Sequence, residues 1–414
     1  MLVIVALAGA VLRLDQFAAQ VLIDDEWHAV HQVLQRGPGG LLLDFGFSDY
    51  SIPLGIYDWW LAHWFGLSET AMRLPMLLCG LATLVLFPLF AARRFGYPVA
   101  ALFAVFLAMS PLLVLYSRMA RPYAITLLLG WIAHAAFHRY LDAAQGSRRA
   151  GFLYGVAATF AAWLHPIVAP FVLAPFLWAL ARWIRLPADA RRPYLRRLLW
   201  LALPTGLALA IVLVPPLVAN PVSMSLKSGV DLVDAGTLAG VWFAWLGTPS
   251  ALVVVLCVAL AAFGTGDVWT HVPEAQSGVI GILLTLLALV VTRPMWSFMP
   301  LSVARYLLPF LPLLLLAVAV GTVRVARRIA TPGSLSRQAA AFAVALLPCV
   351  ALASQSPLPE MLRRPNAQTL HLVYHFDFRP GHNPYLPYLE AIPLSPFWAT
   401  LAAEPRGSLR IAVA

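Results

Sequence analysis

Apolar residues run in stretches of up to about twenty along almost the whole chain, separated by short turns rich in arginine. Stretches of that length match the hydrocarbon core of a bilayer. They predict helices over about 1–14, 72–92, 98–116, 122–141, 151–164, 166–184, 198–219, 249–265, 278–292, 303–323 and 338–354. The expected fold is an all-α polytopic membrane protein with about eleven transmembrane helices. Pro111, Pro166, Pro204 and Pro309 lie in or beside these stretches, where membrane helices tolerate proline. Fourteen residues of helix rise only about 21 Å against a core of ~30 Å, so the first residue is expected to lie inside the first helix. No basic segment precedes that stretch, which argues against a signal peptide.

Two segments depart from the pattern. Residues 15–70 are too long for a simple connector. They contain amphipathic stretches at 25–35 and 53–66, the second with Trp59, Trp60, Trp64 and Phe65. Aromatic residues at that density suit helices lying in the membrane interface. The tail 355–414 alternates like a strand at 369–376, reads as helical at 385–404 and alternates again at 408–413. It is expected to form a small external α/β element or the start of a truncated soluble domain. The transmembrane domain is accordingly placed at 1–354.

Composition narrows the class. Apolar residues make up 61% of the 414 and charged residues 11%, against about 45–50% and 25% in soluble domains. Soluble, disordered and disulfide-scaffold chains are excluded. Cys79, Cys257 and Cys349 all lie in apolar runs and read as small buried hydrophobes. The net charge of +10 is carried almost wholly by arginine, with Lys227 the single lysine. No basic and aromatic stretch forms a soluble groove, so nucleic acid is not an expected partner.

The arginines set the orientation. With 15–70 outside, the internal loops carry Arg93 and Arg94; Arg139, Arg148 and Arg149; Arg182 through Arg197; and Arg324, Arg327, Arg328 and Arg337. That arrangement obeys the positive-inside rule, with 266–277 (Asp267, Glu274) as the exception. The tail is then external too. The external loop 15–70 is acidic, with Arg36 its single basic residue.

Four places can carry chemistry. Asp24-Asp25-Glu26-Trp27-His28 follows the first helix. It reads either as a helix-capping turn or as a general base at the membrane surface. His28 and His31, one turn apart beside these acids, leave a divalent metal site open. Ser117 through Tyr123 holds Arg118 and Arg121, either as anchors to lipid phosphate or as a clamp on one anionic group. Arg305-Tyr306 opens the tenth helix on the same side. His165-Pro166 marks a tight turn where a lone histidine reads first as structural. His134 and His138 share a helix face and read as packing or interface residues rather than ligands. One external face would thus present carboxylates from one loop and arginines from two others. That pairing fits transfer of a sugar from a polyprenyl phosphate to a hydroxyl.

These residues resemble the GT-C-type membrane glycosyltransferases, in particular the bacterial relatives of protein O-mannosyltransferases and of the lipid A aminoarabinose and galacturonic acid transferases. Asp25-Glu26 resembles the family's acidic pair in the first external loop, and Arg13 an arginine often found at the end of the first helix. Ile52 through Tyr57, Gly66-Leu67-Ser68-Glu69 and then Arg73-Leu74-Pro75 resemble the segments that follow. Ser117 through Tyr123, His165 and Arg305-Tyr306 fall where the family has similar features, so the resemblance runs over about 10–325. The family commonly has His-Pro-Pro where Tyr50-Ser51-Ile52-Pro53 stands here, with Asp49 beside it. The large soluble domain of some relatives is expected to be absent or cut short.

The resemblance implies a glycosyltransferase of the bacterial cytoplasmic membrane, active on its external face and inverting at the anomeric carbon. Asp25 and Glu26 would be catalytic. Arg118, Arg121, Tyr123, His165, Arg305, Tyr306 and Asp49 would bind substrate. Its partners would be a polyprenyl-phosphate sugar donor, a lipid, glycan or protein acceptor, and membrane lipids. The reaction needs no cofactor or metal. A transporter or lipid flippase is the rival reading, and it would require broken helices at the midplane and a two-fold repeat. A polysaccharide polymerase or ligase is a third.

Overall fold

The computed structural model describes residues 1–18, 22, 24–46, 51–142, 147–225, 227–229, 232–330 and 334–363. The strand and helix expected at 369–413 lie outside them. The described residues form nineteen α-helices and no named strand. In order these are α1 (Leu2–Leu14), α2 (Asp24–Gln35), α3 (Pro38–Leu42), α4 (Ile52–Trp64), α5 (Glu69–Phe95), α6 (Tyr97–Met109), α7 (Pro111–Ser117), α8 (Tyr123–Asp142), α9 (Arg148–Leu164) and α10 (Ala169–Ile184). There follow α11 (Ala188–Ala219), α12 (Val222–Ser225), α13 (Ala235–Leu246), α14 (Ala251–His271), α15 (Pro273–Thr292), α16 (Pro300–Tyr306), α17 (Phe310–Ile329), α18 (Leu335–Ser354) and α19 (Leu358–Arg363). Among the described residues seven helical segments are long and apolar enough to cross a membrane, or eight counting the bent pair α6 and α7. The chain is a multi-pass membrane protein.

Three expectations are corrected. The stretch 98–116 is not one straight span: it breaks at Ser110 and turns by 61° into α7. Proline at 111 removes a backbone donor there. The carbonyls of Leu107 and Ala108 are then satisfied by Arg13, which donates to them at 3.1 and 3.4 Å, to Gly9 O at 2.9 Å and to Ser117 Oγ at 3.3 Å. Arg13 is buried within this helix-end cap. Second, 266–277 is not a loop. Helix α14 runs to His271 and α15 starts at Pro273, so Asp267 and Glu274 sit on helices. They face Arg324 and Arg94 at 3.4 Å each. Third, Arg305 and Tyr306 do not open the tenth span. They end the separate helix α16, and α17 begins at Phe310.

The bundle is held where backbones meet. A Cβ on Gly264 of α14 would stand 2.1 Å from Ala317 O, and one on Gly321 of α17 would stand 1.8 Å from Leu260 O. The two helices therefore cross through a patch that only glycine allows, as small residues do between membrane helices.

The segment between α1 and α5 is folded onto one end of this bundle in its described residues. Val30 of α2 and Leu54 and Leu61 of α4 pack with Met72 and Met76 of α5 and with Ala124 of α8. Trp60, Trp64 and Phe65 stay exposed on the other side, where an interface would receive them. Arg36 pairs with Asp44. Lys227 reaches in from the segment after α11 and donates to Phe45 O at 2.7 Å.

Candidate active site

Helix α2 begins at Asp24, so Asp24, Asp25 and Glu26 share its first turn, where the helix dipole favours negative charge. Glu26 is fully buried, as is Arg73, which meets it from the first turns of α5. Arg73 Nε donates to Glu26 Oε1 at 2.8 Å and Arg73 Nη2 to Glu26 Oε2 at 2.6 Å. This bidentate pairing suits a planar guanidinium and a carboxylate held away from water. Glu26 Oε1 also accepts from the backbone N–H of Ala120 at 2.5 Å. One bond thus joins residue 26 to residue 120, and it brings Asp25 and Arg121 to either side of the same contact.

The turn 118–122 is fixed at its other end as well. Arg118 donates to the carbonyls of Leu12 at 3.2 Å and Asp15 at 2.6 Å, closing the C-terminus of α1. Tyr123 then starts α8 and gathers a cluster from three separate turns. Its ring lies 4.7 Å from Tyr116 and 5.6 Å from His165, and His165 lies 5.5 Å from Tyr306. The guanidiniums of Arg121 and Arg305 both stand 5.8 Å from the Tyr123 ring, and Arg305 lies 5.2 Å from Tyr306. Five of the expected substrate residues, Arg121, Tyr123, His165, Arg305 and Tyr306, therefore meet in space.

A second carboxyl lies beside Glu26. Asp58 of α4 is 2% exposed. Burial first, and the charge of Glu26 second, hold its carboxyl well above the usual carboxylate range. The folded protein then keeps a proton that the unfolded chain releases at an ordinary carboxylate pKa. Stability therefore falls as pH rises through and beyond that range. Asp58→Asn removes this component. We expect melting curves in detergent to show wild type losing ground to the variant between pH 5 and 8. Parallel curves would mean that Asp58 is ionised in the folded protein.

No protein-family model matches the sequence, and no curated protein matches it. Among solved structures, ArnT from Cupriavidus metallidurans in the apo state superposes with a TM-score of 0.51 at 15% identity, over 90% of this chain and 73% of that one. The fold is of the GT-C type. ArnT bound to undecaprenyl phosphate gives a TM-score of 0.49 at 14% identity over 90% and 73%. The Archaeoglobus fulgidus oligosaccharyltransferase complex with zinc and sulfate gives 0.48 at 13% identity over 94% and 56%.

Within this GT-C fold the remaining expected residues fall as follows. Asp49 and the side chains of Asp25 and His28 lie outside the described set. Among the described residues no group of three or more His, Cys, Asp or Glu side chains could hold a metal. His134 and His138 pack as expected: both meet Ser277 Oγ, at 2.8 and 3.0 Å, and His134 Nε2 lies 3.0 Å from Phe171 O. The sequence reading missed Arg73 and Asp58 as site residues. Each had a faint signal, since an arginine early in a long apolar helix and an acid among tryptophans both need a partner or a proton.

Proposed function

We propose that this end of the bundle transfers a sugar from a polyprenyl-phosphate donor to a hydroxyl on a lipid, glycan or protein, at the external face of the cytoplasmic membrane. The observation that carries the reading is the Glu26–Ala120 hydrogen bond, which sets the acidic turn beside the turn 118–122, next to the Tyr123 ring that Arg121 and Arg305 both approach. The acceptor oxygen attacks the anomeric carbon, and the bond from that carbon to the donor phosphate breaks. Asp25 takes the hydroxyl proton. The leaving polyprenyl phosphate keeps the bonding electrons, and Arg121 and Arg305 stabilise its growing charge. Tyr123, His165 and Tyr306 form the aromatic wall that positions both arginines. Arg118 and Glu26 hold the two turns in register, Arg118 through the end of α1 and Glu26 through Arg73 and Ala120.

The test is release of free polyprenyl phosphate from a labelled donor by purified protein, in the presence of acceptor. A transporter or flippase releases none. Arg121→Ala and Arg305→Ala each remove a charge-assisted contact worth about 1.5–3 kcal/mol, so donor turnover should fall roughly ten- to a hundredfold. If both variants keep normal turnover and donor affinity, the arginines are membrane anchors only.

A further inference from the structure

Arg73 and Arg94 stand near the two ends of α5, 21 residues and about 32 Å apart. Around Arg94, at the end remote from the candidate site, a cavity of about 440 Å³ opens between α5, α6, α14 and α17. Arg94, Arg324, Arg327 and Arg328 line it, with Asp267 and His271. Arg94 donates to His271 O at 2.8 Å, and Arg324 to Phe263 O at 3.2 Å. The four arginines face two carboxylates, Asp267 and Glu274, which leaves two positive charges in excess. Phe95, Val99, Val320 and Val323 form the apolar wall.

A second cavity, of about 200 Å³ and lined almost wholly by apolar side chains, lies next to the first, with Glu274 on its wall paired to Arg94 of the first. The two share the same faces of three helices. Phe90 lies four residues from Arg94 on α5, Phe103 four from Val99 on α6, and Leu316 four from Val320 on α17. Residues four apart on a helix sit one above the other. The apolar cavity is therefore stacked one turn deeper than the arginine cavity, along all three walls. Leu86 and Ala135 on its lining are exposed, which opens it sideways to the bilayer. Glu274 stands at the junction: it lines the apolar cavity and pairs with Arg94 of the basic one. It is 7% exposed, and its Oε2 has no hydrogen-bond partner among the described residues.

We propose that the two cavities form one site for an anionic glycerophospholipid of the leaflet opposite the candidate active site. Its phosphate lies among Arg94, Arg324, Arg327 and Arg328. One acyl chain enters between Phe90, Phe103 and Leu316. The arginine cavity alone would suit any phosphate. The apolar chamber stacked on it and open to the bilayer is what selects a lipid, and the excess positive charge is what selects an anionic one.

The experiment is native mass spectrometry of the full chain, delipidated in neutral detergent and supplied with phosphatidylglycerol or phosphatidylcholine in mixed micelles. Phosphatidylglycerol should be retained about tenfold over phosphatidylcholine. The triple variant Arg324→Gln, Arg327→Gln, Arg328→Gln changes only exposed side chains, and its retention of phosphatidylglycerol should fall about tenfold. Ala135→Phe, which fills the exposed rim of the apolar chamber, should lower it comparably. Millimolar inorganic phosphate should not displace the lipid. Equal retention of both lipids, wild-type retention in either variant, or displacement by inorganic phosphate would each overturn the proposal. The readout involves no transfer chemistry, so it stands or falls separately from the proposed function.

Discussion

Asp25→Asn is expected to abolish sugar transfer in a protein that still folds and still binds donor, whereas Asp24→Asn should keep measurable activity and lose some stability. The two residues share the first turn of α2, and neighbours on a helix point about 100° apart, so both cannot serve one acceptor hydroxyl. Asp25 directly precedes Glu26, whose carboxylate is locked to Arg73 and to the backbone of Ala120. That lock fixes the backbone at Asp25 against the arginine turn, which is the condition a general base needs. Asp24 is the first residue of α2, where a negative charge complements the helix dipole, a role worth about 0.3–1 kcal/mol. A general base supplies about 10²–10⁴-fold in rate, so turnover and melting temperature together separate the roles. Were Asp25→Asn active and Asp24→Asn dead, the base would move one residue. Full activity in both would remove the base from this loop, and with it the proposed chemistry.

What the sequence made readable followed from local physics. Runs of apolar residues near the length of a bilayer core marked the bundle, because a helix in lipid satisfies its own backbone. The amphipathic stretches 25–35 and 53–66 marked the helices that became α2 and α4. Arg121, Arg305 and His165 stood out because polar groups near a membrane need a reason to be there.

What stayed hidden depends on partners distant in the chain. Nothing near Glu26 announces Arg73, 47 residues away, or the N–H of Ala120, 94 residues away. The break at Ser110 is silent because a proline in an apolar run reads as tolerated. It persists in the fold because Arg13, from another helix, caps the carbonyls it frees. Asp267 and Glu274 read as a loop because acids interrupt an apolar pattern. In the structure Arg324 and Arg94 offset their charge, and the helices run on to either side of Val272. Helix α13 was missed because twelve residues are too few to read as a span. It packs on α16, where Trp245 Nε1 donates to Ala304 O at 3.2 Å and so steadies the residue before Arg305.

Arg73→Met should be the most destabilising single change in the site. Arg73 and Glu26 are both fully buried, and removing the arginine leaves a carboxylate in a dry pocket beside Asp58. Breaking a buried pair from one side costs about 3–5 kcal/mol, most of it from the charge left behind. The double variant Arg73→Met, Glu26→Gln carries no such charge, and its amide oxygen can still accept from Ala120 N–H. It should therefore recover most of the lost stability, a coupling that a double-mutant cycle reads directly. Activity then separates the two roles open to Glu26. If Glu26 positions Asp25, the double variant keeps transfer above the level of Asp25→Asn, because the base itself is intact. If Glu26 carries the proton, Glu26→Gln alone loses the full 10²–10⁴-fold and the double variant stays inactive however well it folds. The geometry favours the first outcome, since both carboxylate oxygens of Glu26 are already engaged, by the Arg73 guanidinium and the Ala120 N–H.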